Sequence, residues 1–227
     1  MGNDRNSVWH SVWDNRDDYQ VDWNGYESCF DSQERYEEWM RHIASMLRTQ
    51  LRLTDDDVVV DLGCGTGRFA TLIAPYVKQV LAFDYAAAPI AFANSRRPAR
   101  NVTYQVADIT TLKPRNLGAT KAYSVGCLFY LNSIESAYGV IRQSVETGIP
   151  FAAIDLPDGE IQLPKREYSY DTSVYSHLSF NAHQLEAQFS GTKIVRDDYL
   201  EYINSKYRFH AFIPSSVWSC QDSIDTN

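Results

Sequence analysis

The chain has 227 residues, 44% hydrophobic and 22% charged, which suffices for one sizeable core and is short for two domains. Its 29 acidic residues against 21 basic ones give a formal net charge of -8, which argues against a nucleic-acid backbone as partner. The four cysteines form no C-x-x-C pair, and no apolar run approaches the roughly 20 residues of a membrane span, so a cytoplasmic protein with reduced thiols is expected.

Residues 1–56 form an aromatic-rich N-terminal segment and a cap helix. Trp9, Trp13, Tyr19, Trp23, Tyr26 and Phe30 lie among Asp and Asn without a clean period. The helix that follows is better marked: Asp31 can cap it, Glu34 can close a capping box, and Tyr36, Met40, Ile43 and Leu47 make one apolar stripe.

Val58, Val59 and Val60 followed by Asp61 and Leu62 read as a buried parallel strand near 57–62 with an acid toward its end, and it opens into Gly63, Gly65 and Gly67. Alternating glycines let a turn bring bare backbone against a ligand. Phe69, Leu72, Ile73 and Tyr76 repeat at helical spacing, so the loop feeds a helix near 67–76 whose free N–H groups face the same place. This is not the dinucleotide fingerprint, which needs G-x-G-x-x-G, and Asp61 would meet a pyrophosphate with a like charge. An acid there suits a ligand with a cation at that end.

Beyond the loop, strands are expected near 79–84, 102–106, 119–126 and 149–155, with helices near 87–96 and 133–146; Ile134, Ala137, Ile141 and Val145 give the last helix its apolar face. Such alternation predicts an α/β fold with a doubly wound, Rossmann-like sheet whose ligands sit at the carboxyl ends of the strands. Asp84 ends the second strand roughly 20 residues past the loop, where an acid can accept from both hydroxyls of a ribose. Residues 156–179 break the pattern with two prolines and Tyr168, Tyr170 and Tyr175, and are expected to be an acceptor-side lid. Asn181 caps a short helix, with Gln184 as its capping-box partner and Phe180 stapled to Leu185, and Gly191 ends it. Residues 194–203 and 207–213 flank Asn204 and Ser205 as an antiparallel hairpin, and a polar tail occupies 214–227.

The run Val-Asp-Leu-Gly-Cys-Gly-Thr-Gly-Arg, residues 60–68, closely resembles motif I of the class I S-adenosylmethionine-dependent methyltransferases of small-molecule type. The resemblance extends over roughly residues 35–213 and weakens toward the C-terminus. It implies a single-domain, seven-stranded core at 57–213 with an antiparallel C-terminal hairpin and an N-terminal helical cap. It also implies S-adenosylmethionine as cofactor, with S-adenosylhomocysteine as its product. By position in the motifs it assigns the cofactor to Asp61, Gly63, Cys64, Gly65, Gly67, Asp84, Tyr85 and Cys127. Asp108 would accept from the adenine amino group and Ile109 would pack on the ring.

Methyl transfer from a sulfonium is an in-line displacement that needs positioning, exclusion of water, and a base only when the nucleophile carries a proton. Candidates for acceptor binding or proton removal are Tyr130 after the fourth strand, Asp155 ending the fifth, and His177 at the end of the lid. Trp23, Tyr26, Tyr168, Tyr170 and Tyr175 are candidates to line the acceptor site. Aromatic faces beside acids favour a cationic acceptor, hence an amine nitrogen slightly over a hydroxyl. The segment 126–132 lacks Asn-Pro-Pro-Tyr or Asp-Pro-Pro-Tyr, the pattern of base and glutamine-amide N-methyltransferases. His10, His42, His183 and His210 show no metal spacing, and no metal is expected. A small-molecule acceptor, no nucleic acid and a monomer or homodimer complete the reading. The alternatives are an RNA or protein methyltransferase, a non-catalytic cofactor-binding protein of the same fold and, disfavoured by the glycine spacing, a nicotinamide oxidoreductase.

Overall fold

A computed structural model describes residues 5–15, 30, 32–161, 177–197 and 205–216, without the side chains of 5–8 and 205. Trp23, Tyr26, Asp31, Tyr168, Tyr170 and Tyr175 therefore lie outside the described residues, as does most of the expected lid.

Seven strands form one sheet in the order β3-β2-β1-β4-β5-β7-β6. β1 (Val58–Leu62), β2 (Gln79–Asp84), β3 (Val102–Val106), β4 (Lys121–Val125) and β5 (Phe151–Pro157) run parallel. β7 (Arg208–Ile213) inserts antiparallel between β5 and β6 (Lys193–Val195). The hairpin is thus present, but its first arm is a strand only to Val195 before the chain leaves the ladder, and residues 198–204 are not described. β5 continues to Pro157, beyond the expected end at 155, because a bulge between Ala153 and Leu156 lets it keep pairing with β7.

Alternate residues of the central strands feed two separate cores, as a period of two requires. Val59, Ala152 and Ile154 face α2 (Gln33–Gln50), α3 (Arg68–Ile73) and α4 (Ala87–Arg96) on one side. Val60, Phe151 and Ala153 face α5 (Ile134–Val145) and α6 (Ala182–Gln188) on the other. On α2 the stripe Tyr36, Met40, Ile43 and Leu47 is buried, joined by Trp39. Phe180 and Leu185 are buried together beside α6, and the Asn181 side chain accepts from the Gln184 N–H, so that cap forms as expected.

Two local expectations are corrected. The N-cap of α2 is Ser32, whose hydroxyl accepts from the Arg35 N–H, so the helix begins one residue later than a cap at Asp31 would place it and Glu34 falls out of capping-box register. Replacing Ser32 by alanine is expected to cost about 1 kcal/mol; urea unfolding that is indistinguishable from wild type would refute the assignment. The helix after the glycine loop stays α-helical only to Ile73, because Pro75 converts its last turn to a 3-10 helix over Ala74–Tyr76 and leaves Tyr76 exposed. The N-terminal segment, without evident period, contains α1 (Arg5–Asp14).

Candidate functional site

The carboxyl ends of the parallel strands carry the glycine loop. The N–H groups of Gly63 and Cys64 both donate to the Phe83 carbonyl, at 2.8 and 2.9 Å, which fastens the loop to the end of β2. Gly63 has φ +80°, and a Cβ there would lie 2.1 Å from Cys127 Sγ, so only glycine lets β1 turn against the end of β4. Gly67, at φ +78°, opens α3, and a Cβ on it would lie 2.4 Å from the Tyr104 ring.

Two acids flank this loop. Asp84 ends β2, and its carboxylate accepts from the Gly65 N–H at 2.8 Å and the Ala86 N–H at 3.0 Å. Burial raises its pKa while those two amides oppose the rise. Asp61, the penultimate residue of β1, is 2% exposed and accepts from the Tyr123 hydroxyl at 3.0 Å. Burial pushes its pKa up to about 8, opposed by the Tyr123 bond and reinforced by the Asp84 charge. Asp61, Arg68 and Tyr36 border a cavity of about 30 Å³ that Phe69 and Val125 also line, so an acid and a guanidinium share one small space. The thiols of Cys64 and Cys127 are likewise pushed up by burial and stay protonated at neutral pH.

Further along the sheet edge, Asp108 is exposed and its carboxylate folds into a local turn, accepting from the Thr110 N–H and hydroxyl, while Ile109 beside it is buried. Tyr85, next to Asp84, lies under α1, with its ring 5.1 Å from that of His10. α1 is tied down where Asp14 accepts from the Ala88 N–H in the first turn of α4.

On the other side of the glycine loop, the chain leaving β4 makes a 3-10 turn over Leu128–Tyr130. It brings together two of the three residues considered for acceptor chemistry: the Tyr130 and His177 rings are 5.0 Å apart. Trp9 joins them from α1, 4.6 Å from Tyr130 and stacked on His177 at 5.3 Å, and Trp13 lies 5.4 Å from Tyr130. Trp9 and Trp13 were not among the candidates drawn from the sequence; their four-residue spacing, which places both on one helix face, was the available signal. The third residue, Asp155, is set behind the aromatic group and linked to it by Arg208. That guanidinium donates to the Asp155 carboxylate at 3.0 Å and lies over the Phe129 ring, 4.9 Å from its centre.

Among the described residues no group of three His, Cys, Asp or Glu side chains is arranged to hold a metal ion, and no helix is long and apolar enough to cross a membrane.

Residues 59–148 match the family model described as a methyltransferase domain. Among curated proteins, none matches the chain by sequence. Solved structures of similar fold include the N-methyltransferase NodS from Bradyrhizobium japonicum WM9 in complex with S-adenosylhomocysteine, with 16% identity over 94% of this chain and 100% of that one and a TM-score of 0.58. Geranyl diphosphate C-methyltransferase from Streptomyces coelicolor A3(2) is similar over 93% of this chain and 97% of that one, with 13% identity and a TM-score of 0.63. Phosphoethanolamine N-methyltransferase 1 from Haemonchus contortus is similar over 93% of this chain and 50% of that one, with 16% identity and a TM-score of 0.66. At these identities the likeness is one of fold.

Proposed function

We propose, from the match of residues 59–148 to the methyltransferase-domain family, that this chain transfers the methyl group of S-adenosylmethionine to a small-molecule acceptor. The observation that carries the reading is the pair of buried acids, Asp61 and Asp84, set at the ends of adjacent strands on either side of a glycine loop whose Gly65 amide already meets a carboxylate. The residues fit this cofactor. Asp84 can exchange its bonds to backbone amides for a pair of ribose hydroxyls. Asp61 and Arg68 border one cavity and offer opposite charges to the ammonium and carboxylate of an amino acid. Ile109 supplies an apolar surface for a base, and the Asp108 carboxylate stands beside it. When bound, the cofactor supplies an activated methyl carbon; the chain's task is to bind, orient and exclude water.

The acceptor is read as a small molecule, with an amine nitrogen favoured slightly over a hydroxyl. The support is the aromatic group of Trp9, Trp13, Phe129, Tyr130 and His177, whose ring faces attract a cationic acceptor. The protein is read as cytoplasmic and as a monomer or homodimer.

Calorimetric titration with S-adenosylmethionine, S-adenosylhomocysteine and NAD tests the cofactor; binding of NAD in place of the first two would sink the reading. A labelled-methyl screen of amines, phenols and sugars tests the acceptor, and equal labelling of the three classes would remove the amine preference. Asp84→Ala is expected to weaken S-adenosylmethionine binding by about 1.5–3 kcal/mol, the range for hydrogen bonds to a charged group. Unchanged affinity would show that the acid ending β2 does not hold the ribose.

A further inference from the structure

The β5–β7 ladder slips between Ala153 and Leu156, so Ile154 and Asp155 together stand opposite His210. Asp155 takes φ +65° there, a left-handed conformation that a residue other than glycine keeps only where its surroundings over-determine it. Those surroundings are specific. Its N–H donates to His210 Nδ1 at 3.0 Å, and its carbonyl and carboxylate accept from Arg208 at 2.8 and 3.0 Å. An Nδ1 that accepts a hydrogen bond leaves the imidazole proton on Nε2. That nitrogen faces Asp197 Oδ2 across 3.7 Å, and the same oxygen meets His42 Nε2 of α2 at 2.8 Å. A buried histidine, backed by a carboxylate and a second histidine, thus accepts a backbone donor at the bulge, where the strand ladder is interrupted.

We propose that His210 is a positioning residue: acting through its Nδ1, it holds Asp155 in the left-handed bulge and so fixes the Asp155–Arg208 pair against Phe129 on the acceptor side. Asp197 acts one step further back by orienting the imidazole. The consequence for turnover rests on the methyl-transfer reading given above; the local geometry does not, and the two can fail separately.

The test uses the full chain with two variants. In His210→Asn the amide oxygen can take the place of Nδ1, whereas in His210→Leu no acceptor is left. Amide hydrogen exchange followed by NMR is expected to show the Asp155 N–H exchanging about tenfold faster in the leucine variant, measured against the Val80 amide of β2. In the asparagine variant it is expected to stay within about threefold of wild type. Equal Asp155 protection in wild type and the leucine variant would overturn the proposal, as would failure of asparagine to restore what leucine removes. Should the leucine variant be too unstable to protect Val80, the wild-type imidazole nitrogen shifts decide: a protonated Nδ1 overturns the proposal and a protonated Nε2 supports it. With an acceptor from the labelled-methyl screen, kcat/KM for that acceptor should fall in the leucine variant and recover in the asparagine variant, with the Kd for S-adenosylmethionine unmoved. Wild-type protein that does not bind S-adenosylmethionine would overturn the methyl-transfer reading alone, leaving the exchange result to judge His210.

Discussion

The stability advantage of Asp61→Asn over wild type is expected to grow by on the order of 5 kcal/mol as pH rises from about 4 to about 8, and to level off above that. Asp61 moves from an ordinary value of 3.8 to about 8 on folding, chiefly through burial, and the Tyr123 hydroxyl only partly offsets this. Below pH 4 both folded and unfolded chains hold the proton, so the group contributes no slope. Between 4 and 8 the unfolded chain has released it while the folded chain keeps it, so deprotonation favours unfolding and wild-type stability declines. Above 8 both are ionised and the penalty is complete. Asparagine has no proton to release, and its amide oxygen can still accept from Tyr123. Asp84, also raised by burial, adds a slope of the same sign to both proteins, and the repulsion between the two carboxylates is part of the difference measured. Urea unfolding of the two proteins at intervals across this range measures it, and curves that run parallel would show that Asp61 is ionised throughout. The same proton bears on the proposed cofactor. A ligand bringing an ammonium to Asp61 should drive it off, so binding below pH 8 should release about one proton per site. Calorimetry in buffers of different ionisation enthalpy would detect that release, and buffer-independent heats would argue against contact between Asp61 and a cation.

Gly63→Ala should be the most damaging single methyl in the glycine loop. The new carbon would lie 2.1 Å from Cys127 Sγ and 2.5 Å from its Cβ, on a backbone at φ +80°. Left-handed strain and overpacking together are expected to cost about 2–5 kcal/mol and to displace the Gly63 and Cys64 amides from the Phe83 carbonyl. Cofactor binding should be lost with that anchorage. The cause can be separated: Cys127→Gly in the same chain removes both close atoms and should restore about 1–3 kcal/mol, leaving the backbone strain. Additive losses in the double variant would place the damage elsewhere in the loop.

Much of this architecture was legible because β1, β2 and β5 are short, mostly apolar runs, and because Asp61, the three glycines and Asp84 fall at chain positions that one topology brings together. The acceptor side was legible only in fragments. Tyr130 and His177 were singled out, but their partners Trp9 and Trp13 come from the N-terminal helix, and a four-residue spacing marks a shared face without saying which rings that face meets. His210 is set aside in the sequence because nothing in its neighbourhood along the chain resembles a ligand set. Its partner is a backbone N–H at a bulge 55 residues away, and a bulge leaves no periodic trace. The shift of the α2 cap from Asp31 to Ser32 has the same origin, since both residue types cap well and tertiary packing decides between neighbours.

The two described ends of the segment that follows β5 are joined at its base. Phe180 N–H donates to the Pro157 carbonyl at 2.8 Å, Gly159 N–H donates to the Phe180 carbonyl at 2.7 Å, and Asp158 binds Arg196 across the sheet edge. A chain stretch whose ends are already closed can change length at little cost, because doubling a closed loop adds only about 0.6 kcal/mol. Residues between these anchors can therefore be lengthened, shortened or exchanged while Asp61, Asp84 and the glycine loop, on β1 and β2, keep their geometry. On the proposed methyl-transfer reading, in which this segment serves the acceptor, acceptor choice can diverge by segment replacement, without a matching change at the cofactor end.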